Sequence, residues 1–493
     1  MSTIDWSVQA DTFKPEVRSL INGQHFDADG ELYKKTSPID LRSLSDIAIL
    51  NEKEVNIAVN AARKAYNSRC WAGLPLTKRK EILFKFSDLI NQHVGTLALL
   101  DCLEMGKSIH NLMYDDIPTG AASIRWFAEA LDKVYDHCAP ARDGALGTIT
   151  SEPLGVVGAI IPWNYPMIML AWKIAPALAM GNSVVLKPAE QSTYSAIKVA
   201  ELALEAGIPP GVFNVVTGDG RTGQALASHM DVDGIFFTGS TEVGKLIMQY
   251  AAQSNLKKVA LECGGKSPFI VLNSSKQLEY AAQSMARHVY FNQGQICSAA
   301  SRLIIQAECE AEFLALLKQQ INQYQPANPL LTDTRVGAMV SHQQLDKVVN
   351  YVEMAVQSGA EVFAGGKAVE PVKNGAFYQP TILTGVRNDM PIAQEEIFGP
   401  VVSVIRVKDT AEAVQVANQT KYGLAAAVWT DDFNTAHQVA SQLRAGTVHV
   451  NAYGEDDATV PFGGMKQSGL GKDKSIWSLQ QYAEMKTTWF RYS

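Results

Sequence analysis

The chain has 493 residues, a length that suits about two to four ordinary domains. A hydrophobic fraction of 47% and a charged fraction of 19% exclude a disordered chain, a collagen-like chain and a small disulfide scaffold. Forty-three Lys and Arg against 50 Asp and Glu give a net charge of -7, and with no basic cluster the chain does not suit a nucleic-acid backbone.

The start, Met1-Ser-Thr-Ile-Asp-Trp6, has no positive region followed by an apolar core, so no secretory leader is expected. Glu52 to Asn67, Thr77 to Gln92 and Ser123 to Tyr135 carry apolar residues at helical spacing. The most apolar stretch, Leu154 to Leu186, is interrupted by Asn164, Lys173, Asn182 and three prolines. It reads as buried strand plus helix and not as a membrane span. From residue 155 strands and helices alternate. Gly155–Ile161, Ser183–Leu186, Val212–Val216, Gly234–Phe237 and Lys258–Leu261 read as strands. Tyr165–Met180, Ser192–Ala206, Thr222–His229 and Thr241–Ala252 read as helices. This pattern predicts a parallel sheet covered on both faces, with ligands at the C-terminal ends of the strands. A second alternating region runs from Pro268 to about residue 450. Its strand candidates are Pro268–Leu272, Ser301–Gln306, Ala360–Phe363, Pro400–Val407 and Thr447–Asn451. The tail from Met485 is extended in character and needs a partner strand, within the chain or from another subunit.

Six scattered cysteines, Cys70, Cys102, Cys138, Cys263, Cys297 and Cys309, form no C-x-x-C pair. They fit neither a disulfide framework nor a zinc site, and they point to a reducing, cytoplasmic compartment. No metal centre is expected. Gly218-Asp-Gly220-Arg-Thr-Gly223 matches G-x-G-x-x-G, and Gly239-Ser-Thr-Glu-Val-Gly244-Lys245 nearly matches a P-loop. Leu246 stands where Mg²⁺ ligation needs Ser or Thr. Each reads as a tight strand-to-helix turn, and the free N–H groups after Gly239 could also hold an anion.

Three residues at strand ends or in loops suit chemistry. Cys297, in Phe291-Asn-Gln-Gly-Gln-Ile-Cys297-Ser, reads as a thiol near a helix N-terminus. Such a thiol has a lowered pKa, although a free cysteine also packs well as a small apolar residue. Glu262 ends a strand and could act as a general base, or be a surface carboxylate in a turn. Asn164, in Ile161-Pro-Trp-Asn-Tyr-Pro166, could donate to an oxyanion or cap the next helix.

Together these segments resemble the NAD(P)-dependent aldehyde dehydrogenase superfamily. The resemblance rests on seven motifs in the family's order: Pro162-Trp-Asn-Tyr-Pro166, Leu186-Lys-Pro-Ala-Glu190, Phe237-Thr-Gly-Ser-Thr241, Glu262-Cys-Gly-Gly-Lys266, Asn292-Gln-Gly-Gln-Ile-Cys297, Glu395-Glu-Ile-Phe-Gly-Pro400 and Pro461-Phe-Gly-Gly-Met-Lys-Gln-Ser-Gly469. It implies that Cys297 attacks an aldehyde and that Asn164 and the Cys297 N–H hold the oxyanion. It further implies that Glu262 activates water against the thioester and that Lys173 assists proton transfer or plays a structural part. The implied cofactor is NAD, with NADP less favoured. Lys187 and Glu190 match the adenosine-ribose positions, where a carboxylate repels a 2′-phosphate. Ile161, Trp163, Gly239, Ser240, Gln344, Lys347, Glu396 and Phe398 match the rest of the cofactor cleft. Cys263 departs from the usual apolar residue at its position.

For the substrate, the resemblance places Asp115 and Asp116 along the tunnel and Glu455, Asp456 and Asp457 at its mouth. Tyr165, Met169, Trp172 and Phe462 supply apolar walls. Five carboxylates there predict attraction for a cationic tail. Asp115-Asp-Ile-Pro118, Ala458-Thr-Val-Pro-Phe462 and Lys472-Asp-Lys-Ser475 are similar to the branch acting on γ-glutamyl-γ-aminobutyraldehyde and ω-aminoaldehydes in polyamine breakdown. General aliphatic or betaine aldehydes are the alternative. A CoA-acylating dehydrogenase and a non-enzymatic scaffold are weaker rivals. The implied fold is α/β, with a Rossmann-type cofactor domain (1–130 and 151–258) and an α/β catalytic domain (259–470). A small β element (131–150 and 471–493) joins subunits into a dimer or tetramer.

Overall fold

A computed structural model describes residues 5–140, 143–454 and 457–492. Two large sheets organise it. The first is eight-stranded, and its centre is the strand Val156–Ile160. Ser183–Lys187 pairs with it in parallel on one side and Gly234–Thr238 on the other. Phe213–Val215 and Lys258–Glu262 continue the parallel set outward. Antiparallel strands close both edges, Ser19–Ile21 and Gln24–Phe26 at one and Gly469–Leu470 at the other. The five central strands are Val-, Ile- and Phe-rich and almost wholly buried, as a sheet covered on both faces requires. Because the chain leaves Val156–Ile160 toward one neighbour and returns to the other, a crevice opens at its C-terminal end.

In the seven-stranded second sheet, Pro268–Val271 lies next to the middle strand. Its parallel neighbours are Arg302–Gln306 and Ala425–Trp429, in a register that sets Pro268 opposite Arg302. The loop Cys263–Ser267 therefore leaves the C-terminal edge of the first sheet and enters the N-terminal edge of the second. The loop carrying Cys297 enters the second sheet beside it.

Arg302 fixes that entry. It is fully buried and donates to the carbonyls of Lys266, Val416 and Ala417 and to Asn388 Oδ1, at 2.9–3.2 Å. Burial without a carboxylate among these partners lowers its pKa to about 10.

Two helices follow the sequence pattern closely, Glu52–Asn67 and Leu76–Gln92. The third runs over Ile117–Ala130 instead of Ser123–Tyr135. Pro118 in its first turn sets the start, and a π-helical turn, Leu112–Asp116, leads into it. The tail finds its partner within the chain. Ala483–Arg491 pairs antiparallel with Ala145–Pro153 over nine residues, and His137–Ala139 adds a third strand. Phe236 and Tyr482 stack at 3.9 Å and anchor the tail to the first sheet. Among the described residues no helix is long and apolar enough to cross a membrane.

Replacing Arg302 by Met keeps volume but leaves four acceptors unpaired, two of them buried and two half-buried. We expect a loss of about 3 kcal/mol, read as a lower calorimetric unfolding temperature. Arg302→Lys, with fewer donors, should recover only part of it.

Candidate active site

The crevice at the centre of the first sheet holds Trp163 and Asn164 from one strand end and Thr238, Gly239 and Ser240 from the next. Glu262, Cys263 and Gly264 come from the third, and Cys297, Glu396 and Phe398 from the second sheet's loops. The resulting cavity is about 220 Å³. A second cavity of about 360 Å³ opens on the other side, a size typical of small-molecule sites. Cys297, Tyr165, Met169, Trp172 and Phe462 line both. The thiol thus stands at the partition between two chambers.

No helix begins at Cys297, contrary to the expectation from its polar context. A 3₁₀ turn, Phe291–Gly294, precedes it and the strand Arg302–Gln306 follows. Asn292 and Gln293 both adopt left-handed φ in that turn. Asn164 Nδ2 donates to Gln295 O at 2.9 Å, and Asn292 Nδ2 donates to Asn164 O at 3.0 Å. Asn164 is thereby locked against the cysteine loop with its second amide N–H left over. Without a helix dipole the thiol is not acidified. Burial pushes the Cys297 thiol up to about 12, the carboxylates of Glu396 and Glu262 add to this, and the backbone N–H groups of Ser298 and Cys297 oppose it.

Glu262 ends its strand with a side chain only 5% exposed as a residue, and its Oε2 has no hydrogen-bond partner. Burial, and then the charge of Asp473, raise its pKa well above the ordinary carboxylate value, against Lys173 and Lys472. A Cβ on Gly463, at φ +151°, would overlap Glu262 Oε1, so only glycine leaves room for the carboxylate. Lys173 Nζ donates to Asp473 Oδ2 at 2.6 Å, both buried. Asp473, which lines the cavity, was not singled out from sequence. It lies more than two hundred residues from Glu262, and the nearby pairing of Glu262 with Gly469 is what brings it close.

The cofactor candidates divide by position. Trp163 and Phe398 meet edge to face at 5.3 Å across the cleft. Gly239 and Ser240 open the helix Thr241–Gln253, whose free N–H groups suit a pyrophosphate. Thr238 Oγ1 beside them is buried without a partner. Gly265 N donates to Glu396 Oε1 at 3.1 Å, and burial lifts the Glu396 carboxyl to about 7. A Cβ on Gly264 would overlap Glu396, so the cleft floor stays open only with glycine. Gln344 Nε2 donates to Ile397 O and Phe398 O, at 2.8 and 3.0 Å, and Lys347 Nζ to Glu396 O at 3.0 Å. These two therefore hold the loop on which Phe398 sits at φ +59°. Lys187 and Glu190 stand apart from this cavity, after the neighbouring strand Ser183–Lys187. There Lys187 Nζ donates to Pro188 O at 2.9 Å and lies 3.4 Å from Glu190 Oε2. Ile161 is buried in the core and reaches the site only through its backbone, its N–H donating to Lys187 O. The orphaned Thr238 hydroxyl, the glycine-lined floor and the helix opening at Ser240 fit a dinucleotide.

Of the three described carboxylates expected along the tunnel and at its mouth, only Asp115 lines the outer cavity. Asp116, one residue on in the π-helical turn, points inward and is completely buried, 2.5 Å from Lys107 Nζ. Burial raises its carboxyl to about 6. Asp457 Oδ1 accepts from Thr459 N and Oγ1 at 2.7 and 2.6 Å and does not line the cavity. Glu455 and Asp456 lie outside the described residues. Sequence reasoning also missed Arg287, His288, His449 and Lys474, which line the same cavity. Lys474 Nζ lies 5.4 Å over Trp172 and 6.0 Å over Phe462. Cys263 packs with Phe237, Leu261 and Ile247 in a core cluster, and burial pushes its thiol to about 12. It also lines the inner cavity beside Glu262.

A half-buried thiol, a buried base and a dinucleotide cleft meeting at one point define an aldehyde-oxidising class of enzyme. The sequence pattern described as the aldehyde dehydrogenase family matches residues 25–488. The chain belongs to that family and is an NAD(P)-dependent aldehyde oxidoreductase. It is 43% identical over 486 residues to the NADP/NAD-dependent aldehyde dehydrogenase PuuC of Escherichia coli, covering 98% of this chain and 97% of that one. The solved γ-glutamyl-γ-aminobutyraldehyde dehydrogenase from Burkholderia cenocepacia superposes with a TM-score of 0.97 at 49% identity, covering 99% of each chain. The AldA indole-3-acetaldehyde dehydrogenase of P. syringae, solved with NAD+, has the same TM-score at 47% identity and covers 99% of each chain.

In the free protein the thiolate fraction of Cys297 rises as pH rises toward its high pKa. Iodoacetamide at pH 7 should therefore label the exposed Cys138 well before Cys297, and Cys297 labelling should climb about tenfold per pH unit. Peptide mass mapping after timed alkylation reads this, and preferential labelling of Cys297 at pH 7 would contradict it.

Proposed function

We propose that the chain oxidises amine-derived aldehydes to carboxylic acids, with NAD favoured over NADP. The observation that carries this is the Cys297 thiol at the partition between an inner cleft lined by Gly239, Ser240, Glu396 and Phe398 and a separate outer chamber. In this reading the aldehyde enters from the outer chamber and Cys297 adds to its carbonyl, forming a thiohemiacetal. The spare N–H of Asn164 Nδ2 and the Cys297 N–H hold the developing oxyanion. The inner cleft would hold an oxidised nicotinamide, which would supply the acceptor for the hydride leaving the thiohemiacetal carbon. Gly239, Ser240, Glu396 and Phe398 would hold it, while Gln344 and Lys347 position their loop. Lys187 and Glu190 would take the adenosine ribose, where a carboxylate repels a 2′-phosphate. Glu262, raised in pKa and free at Oε2, takes a proton from the water that attacks the thioester. Asp473 and Lys173 set its charge. A poised base of this kind favours water over CoA as the acyl acceptor.

Apolar or aromatic aldehydes form the second reading, which the ring pair Trp172–Phe462 at 5.3 Å supports. Free thiols at all six cysteines suit the cytoplasm. The tail strand supports a dimer or tetramer. Met485 is 81% and Trp489 58% exposed on it, an apolar edge that monomers seldom leave open.

Rapid-mixing assays test the chemistry. Glu262→Gln should give a burst of about one NADH per thiol and then stall, and Cys297→Ala should give none. Steady turnover by Glu262→Gln would overturn the hydrolytic role. The base works only when deprotonated, and its pKa is raised. Activity should therefore fall as pH drops through a value above the ordinary ~4.3 of glutamate. Light scattering after chromatography tests assembly, and Met485→Asp with Trp489→Asp should shift the protein to a smaller species.

A further inference from the structure

The outer chamber, with its apolar middle and charged rim, says more about the substrate than its walls do. From Cys297 outward it is lined by Tyr165, Trp172, Phe291 and Phe462. At the rim, side chains of opposite charge arrive from separate elements. Asp115 comes from the π-helical turn Leu112–Asp116, and Arg287 from the last turn of the helix Leu278–Tyr290. Both are exposed. Among the described residues, neither takes part in an ion pair or a side-chain hydrogen bond. The neighbouring carboxylates differ. Asp116 is closed on Lys107, and Asp457 on Thr459. The helix end that carries Arg287 favours a cation there, so the guanidinium is placed without a carboxylate of its own. Its planar fork matches a carboxylate in two-point contact.

We propose that Arg287 and Asp115 together read the far end of the substrate, Arg287 taking a carboxylate and Asp115 an ammonium group. The preferred aldehydes then carry both charges on the tail, as an amino-acid moiety does, joined to the aldehyde by an apolar stem that fills the aromatic middle. This assignment rests on the aldehyde-oxidising reading above and gives the rim both signs of charge. A purely cationic tail uses only half of the rim, and an uncharged one uses none.

The test measures kcat and KM for 4-(γ-glutamylamino)butanal, 4-aminobutanal and hexanal, with wild type, Arg287→Gln, Arg287→Lys and Asp115→Asn. Because the rim is solvent-exposed, the expected effects are modest. Arg287→Gln should lower kcat/KM for the γ-glutamyl aldehyde at least about fivefold more than for 4-aminobutanal, chiefly through KM. Arg287→Lys should recover part of this, and 0.5 M NaCl should shrink the difference. Asp115→Asn should lower both amine-bearing aldehydes relative to hexanal. An active enzyme in which Arg287→Gln changes the two amine-bearing aldehydes by the same factor overturns the rim assignment. A wild type that oxidises none of the three overturns the aldehyde-oxidising reading itself, and the two failures are thus told apart.

Discussion

The site depends on the close approach of two backbones. The loop Cys263–Ser267 and the loop carrying Cys297 pass so near each other that a Cβ on Gly265 would sit 2.5 Å from Cys297 O. At Gly294 a Cβ would overlap Gly399 O, tying in the loop that carries Glu396 and Phe398. Three segments from different parts of the chain therefore share one small volume, and glycine is the side chain that permits it. Arg302 holds the same junction from below through carbonyls of the Cys263–Ser267 loop and of the helix Thr410–Asn418. The nucleophile is thus placed by packing between the two sheets and not by a helix of its own.

That placement sets the electrostatics. Glu262, Glu396 and Asp473 all line the cleft with Cys297, and burial raises the pKa of each carboxyl. Lys173, in direct contact with Asp473, is the cation that makes two carboxylates in one buried cluster tolerable. Without it, Glu262 and Asp473 would share a low-dielectric volume with only the half-buried Lys472 to offset them. A base held this way is weakly acidic and therefore useful near neutral pH.

Much of this was legible in the sequence. Continuous apolar strands alternating with amphipathic helices gave the parallel sheet and its ligand-binding edge, because burial on both faces leaves a periodic mark. Cys297, Glu262 and Asn164 were readable because each sits in a loop whose glycines and prolines break that periodicity. What was not legible depended on direction and long-range pairing. Asp115 and Asp116 are adjacent, yet a π-helical turn sends one to solvent and the other onto Lys107, and no local pattern encodes that turn. Asp473 becomes a site residue only because the Gly469–Leu470 strand docks beside Glu262. Arg287 lies on an ordinary amphipathic helix, and its facing the chamber follows from how that helix packs.

The thiol's high pKa bears on how the enzyme rests. A cysteine lowered to neutral pH would be a standing target for oxidants and electrophiles. Here burial first, and then the flanking carboxylates, hold the Cys297 thiol above its ordinary pKa, and the same carboxylates make the cleft a place where positive charge is stabilised. Any cation brought into that cleft offsets Glu262 and Glu396 together and moves the thiol toward its nucleophilic form.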